Sequence, residues 1–95
     1  MIIPKQLKIG GRIVKINRKL SSDMQGDLGF YSDWTGQITI ANDLDVDPTQ
    51  QNVTIIHEVI EFLDKKHQYK LEHDIIQSLS ENLYQVLKDN KLVFK

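Results

Sequence analysis

The apolar residues of this 95-residue chain change their period near residue 45, and that change limits the fold more than any other feature. On the N-terminal side the repeats are short and β-like. Leu7 and Ile9 lead into Gly10-Gly11, and Ile13, Val14, Ile16 and Leu20 follow with partial alternation, which predicts a β-hairpin. The stretch Leu28 to Tyr31, after Gly26, reads as a short third strand, and Gln37-Ile38-Thr39-Ile40, after Gly36, as a fourth. Ser32-Asp33-Trp34-Thr35-Gly36 is the expected turn between them. Asn42, Asp43, Asp45, Asp47 and Pro48 then end the β region.

Beyond Asp47 the period becomes helical. Asp47 can cap free backbone N–H groups, Pro48 suits the first helical position, and Gln50 can complete a capping-box-like arrangement. A helix over 48–66 places Val53, Ile56, Val59, Ile60, Phe62 and Leu63 in one apolar arc and Thr54, His57, Glu58, Glu61 and Asp64 on the other face. A second helix over 72–89 gathers Ile75, Ile76, Leu79, Leu83, Val86 and Leu87 on its apolar side, and Asn90 to Phe94 is expected to pack back onto the domain. The expected fold is therefore a single α+β domain over 1–95: a small antiparallel sheet of three to four strands within 1–41, packed with two C-terminal helices.

One domain of this size has a modest core, and its composition narrows the chemistry available to it. There is no cysteine, which excludes a thiol nucleophile, a disulfide framework and a thiolate metal site. The formal charge of −1 gives no strong nucleic-acid signal. No 18-residue apolar run and no signal-peptide pattern are visible, so a cytoplasmic location without membrane association is expected. The three histidines, His57, His67 and His73, fall in one 17-residue stretch.

His57-Glu58-Val59-Ile60-Glu61 has the form H-E-x-x-E on the first predicted helix. Residues four apart share a helix face, so the His57 imidazole and the Glu61 carboxylate can point toward one ion, as the two histidines of H-E-x-x-H do. Glu58 stands where the base that activates water stands in metalloproteases. A catalytic zinc site needs a third protein ligand and an open position. His67 has the spacing of the last histidine in H-E-x-x-H-x-x-G-x-x-H, although Asp64 occupies the glycine position. His73 is the other candidate.

Taken in order, Lys8-Ile9-Gly10-Gly11, Gly36-Gln37-Ile38-Thr39-Ile40, His57-Glu58-Val59-Ile60-Glu61 and Leu83-Tyr84-Gln85-Val86-Leu87-Lys88-Asp89-Asn90 resemble the minimal zincin-like metallopeptidases encoded by bacteriophages and prophages. The resemblance covers nearly the whole chain and implies a zinc-dependent peptidase working in the host cytoplasm on a peptide or protein substrate. It implies His57 as first ligand, Glu58 as base, Glu61 in the second-ligand position and His73 where that family carries an acidic ligand. The sequence departs from the family pattern at 61 and 73, but the two exchanges together still leave two imidazoles and one carboxylate, a set that suits zinc and also Fe(II). By analogy, the fourth strand is the expected edge for an extended substrate. The alternative is a non-catalytic binding or adaptor protein with a degenerate metal site and a partner protein in place of a substrate.

Plainer roles stand beside these. His57, Glu58, Glu61 and Asp64 also fit a solvated helix face, and His67 a helix end favoured by the macrodipole. Tyr31 and Trp34 fit either a peptide-binding cleft or packing over a sheet edge. Tyr84 fits a surface position or a hydrogen bond into the cleft. Lys5, Lys8, Arg12, Lys15, Arg18 and Lys19 read as the solvent face of the hairpin, with a nucleic-acid or protein contact as the alternative.

Overall fold

A computed structural model describes residues 4–24, 28–32, 36–41 and 47–92. Strands β1 (Gln6–Ile9) and β2 (Arg12–Lys19) form the expected hairpin. Gly10 and Gly11 both have positive φ, 57° and 81°, the geometry that a tight two-residue turn between twisted strands demands. A short 3-10 helix, Ser21–Asp23, leads to β3 (Gly29–Ser32) and β4 (Gln37–Ala41).

The four strands lie in the order β1-β2-β4-β3, with β1–β2 and β3–β4 antiparallel and β2–β4 parallel. The α+β architecture with two C-terminal helices is as expected, but the sheet is mixed rather than wholly antiparallel. The chain passes the place beside β2, forms the edge strand β3, and only then returns as β4 to fill the gap. Sequential strands often pair with their neighbours, but a nine-residue connection is long enough to skip a position. The strand expected at the edge, Gln37 to Ile40, is therefore interior, and β3 takes that edge. Residues Ile38, Thr39, Ile40 and Ala41 are all buried, as a strand covered on both faces requires.

Helix α1 (Pro48–His67) begins as the sequence predicts: Asp47 Oδ1 accepts a hydrogen bond from the Thr49 backbone N–H at 2.6 Å. The Gln50 side chain instead donates to Thr54 Oγ1, at 3.5 Å, so the capping box does not form. The core joins Val14, Ile16, Ile38 and Ile40 of the sheet to Ile55 and Phe62 of α1. On the other face of β4, Ala41 packs with Met24.

Helix α2 (His73–Asp89) packs on α1 rather than on the sheet. Of its expected apolar side only Ile76 is buried, together with Ser80 and Tyr84, while Ile75, Leu79, Leu83 and Val86 are exposed. Ser80 occupies the contact because a small side chain lets two helix backbones come close, and its hydroxyl bonds the Ile76 carbonyl at 2.7 Å. Leu92 is also exposed, so the described part of the C-terminal segment does not pack back. Among the described residues, no helix is long and apolar enough to cross a membrane.

Candidate metal centre

The two helices run antiparallel, with α1 positions 57 and 61 facing the start of α2 and position 52 facing its later turns. At that far end Asn52 Nδ2 donates to the Tyr84 hydroxyl at 3.3 Å, both side chains being buried. Tyr84 is therefore a helix-pairing residue, neither a surface group nor a donor into an open cleft. At the near end the chemistry-bearing residues meet.

His57 and Glu61 stand one turn apart on α1, and His57 Nε2 lies 3.1 Å from Glu61 Oε1. His73, the first residue of α2, places Nδ1 3.8 Å from the same oxygen. The His57 and His73 ring centroids are 5.0 Å apart, with the rings inclined at 58°. One donor atom from each of the three side chains falls within 4.8 Å of the others, so His57, Glu61 and His73 could hold a metal ion.

The two separations to Glu61 are close to those between the ligands of a small transition-metal ion. Tetrahedral zinc with bonds of about 2.0–2.1 Å holds its donors about 3.3 Å apart. The two contacts to Glu61, 3.1 and 3.8 Å, bracket that value. The remaining gap is one that His73 can close, because its side chain is 71% exposed and its rotamer is not locked by packing. Two imidazoles and one carboxylate do not by themselves select zinc over Fe(II).

Burial separates the members of the motif. His57 is 7% exposed and Glu58 4%, although the helical wheel assigns both to the face away from the apolar arc. That face is covered because β3 packs on one flank of α1 and α2 on another. Taking polar side chains out of water is unfavourable unless they are partnered. His57 Nδ1 is buried and has no hydrogen-bond partner among the described residues, while Nε2 meets Glu61. Glu58 is not one of the three converging side chains, and its Cγ lies toward β3.

His67 stays apart from this cluster. Helix α1 runs through Asp64 to His67, and the chain turns only at Gln68, which takes the left-handed conformation with φ 56° and ψ 42°. Asp64 holds this turn: its carbonyl accepts the Gln68 and Tyr69 N–H groups, and its Oδ1 accepts the Leu71 N–H at 2.9 Å. The early bend that a glycine at 64 would permit is absent, and the longer loop delivers His73 instead. His67 is exposed and stacks on the Tyr69 ring at 5.4 Å.

Gly29 is a contributor that the sequence reading passed over. A Cβ there would lie 2.5 Å from the Thr54 methyl and 3.4 Å from Glu58 Cγ, so the missing side chain is what lets the edge strand rest against the motif helix beside Glu58. A glycine inside a strand pattern is a known mark of such close approach. Tyr31, two residues on, packs edge-on against Phe62 with centroids 4.9 Å apart. Trp34, the other candidate cleft aromatic, lies outside the described residues, as does the acidic stretch 42–46.

Compared with protein-family models, with curated proteins and with solved structures, the chain matches none of them.

Proposed function

We propose that the chain is a minimal zincin-type metallopeptidase of the phage and prophage kind, with zinc held by His57, Glu61 and His73 and with Glu58 as the general base. The observation that carries this reading is the convergence of two imidazoles and a carboxylate from two helices, beside a buried glutamate on the same helix. A charged residue on an ordinary solvated helix face has no reason to be buried, whereas a base excluded from bulk water is suited to proton abstraction. Bound zinc supplies the acidification of water and the polarisation of a peptide carbonyl.

The side chains have separate tasks. Glu61 is the shared neighbour of both histidines. Glu58, one residue beyond the first ligand, would take a proton from the water that attacks the peptide carbonyl and return it to the leaving amine. Strand β3 is the last strand of the sheet among the described residues and lies against α1 at Glu58, which makes it the candidate strand for aligning an extended peptide with the base.

The test is Glu58→Gln in zinc-loaded protein, with cleavage of a mixed peptide pool followed by mass spectrometry. The variant should retain zinc and lose at least about two orders of magnitude in cleavage, the weight of a general base. Loss of zinc along with activity would make Glu58 a ligand. The exposed His73 and the unpartnered His57 nitrogen favour a second reading, a zinc-free binding module on the same fold, and wild-type protein that neither binds zinc nor cleaves any peptide would select it.

A further inference from the structure

One turn beyond Glu58 along α1, a pocket of about 150 Å³ opens between the helix and the sheet, lined by Arg12, Tyr31, Phe62, Lys65 and Lys66. Three of the five lining residues are cations and none is acidic. The Tyr31–Phe62 pair forms its aromatic floor. Lys65 Nζ stands 5.9 Å above the Tyr31 ring, and Lys66 Nζ donates to the Gly10 carbonyl at 2.9 Å. The Arg12 guanidinium lies against Gly36 at the start of β4. None of the three cations has an ion-pair partner among the described residues. Like charges gathered at one concave site repel, and an entering anion relieves that repulsion.

We propose that this pocket binds the carboxylate of a peptide, an inference whose place in substrate binding rests on the peptidase reading. Gly29 and Tyr31 share one face of β3, with Gly29 against Thr54 and Glu58 and Tyr31 against Phe62 and Lys65. The strand therefore runs from the base to the pocket. From Glu58 to Lys65 the helix rises about 10 Å, and an extended chain covers that in about three residues. A peptide whose reacting carbonyl sits at Glu58 thus brings an acidic side chain or a terminal carboxylate two to three residues away to the mouth of the pocket at Lys65, and the Arg12 fork in the same lining is matched to a carboxylate. The aromatic floor takes the aliphatic part of the same residue.

Binding can be read without metal or turnover. Zinc-free, ¹⁵N-labelled protein and its His57→Ala variant are titrated at constant ionic strength with acetyl-Ala-Ala-Glu-amide, acetyl-Ala-Ala-Ala with a free C-terminus, the neutral acetyl-Ala-Ala-Gln-amide, and inorganic phosphate. At least one carboxylate peptide should shift the amides of Arg12, Tyr31, Phe62, Lys65 and Lys66 saturably, and which one does so identifies the source of the carboxylate. The Gln peptide should leave those amides unmoved, and Arg12→Gln/Lys65→Gln should weaken carboxylate binding by roughly tenfold or more. Equal binding of the neutral peptide, binding of phosphate alone, or no saturable shift overturns the proposal. Because His57→Ala removes the metal cluster and leaves the pocket, a failure of the zinc reading leaves this result unchanged.

Discussion

The two helices reverse each other's surface logic. Helix α1 buries His57, Glu58, Asn52 and Thr54, polar residues that a helix normally turns to water, while α2 leaves Ile75, Leu79, Leu83 and Val86 exposed. The cause is position: α1 lies between the sheet and α2, whereas α2 touches only α1 among its larger contacts. Burial of polar groups is tolerated where they are partnered, as Asn52 is by Tyr84, Thr54 by Gln50 and His57 by Glu61. Exposure of apolar groups on α2 shows that it meets α1 through Ile76, Ser80 and Tyr84 rather than through its apolar stripe.

That contrast can be broken in three places, from the largest effect down. Phe62→Ala empties a position only 3% exposed, between the sheet and α1, and should cost about 3–5 kcal/mol in a urea or guanidinium titration. A loss below about 1 kcal/mol would mean that α1 is not the centre of the core. Gly29→Ala should cost about 1–3 kcal/mol by driving a methyl into Thr54 and Glu58. Thr54→Ser removes the opposing methyl, so the double variant should recover a good part of that loss. Strictly additive effects would show that the strand does not rest on the helix there. Leu79→Gln, on the exposed stripe, should change stability by no more than about 0.5 kcal/mol, and a cost of several kcal/mol would show that the stripe is covered.

Local features were legible in the residues, and non-local ones were not. The Gly10-Gly11 turn, the Asp47-Pro48 helix start and the His57–Glu61 pair each depend on neighbours within about four positions, and all three occur as read. Strand order is different. The periodicity of Gln37 to Ala41 identifies a strand but not that it lies between β2 and β3, since that depends on how a nine-residue connection travels. The α2 wheel likewise shows an apolar side but not which side meets α1, and here helix pairing through Ser80 and Tyr84 outweighs the apolar stripe. His73 became a candidate through family resemblance. The geometry that brings it to Glu61 comes from the Asp64-held loop, whose hydrogen bonds no periodicity reveals.

The most direct measurement is the zinc content of untagged protein by native mass spectrometry, for wild type and for His57→Ala, Glu61→Ala, His73→Ala and His67→Ala. The predicted result is about one zinc ion per wild-type chain. Zinc should be lost or sharply weakened in the first three variants and retained in His67→Ala. A wild type that stays free of zinc at micromolar free metal, or zinc that survives His73→Ala and is lost in His67→Ala, would contradict the site built from these two helices.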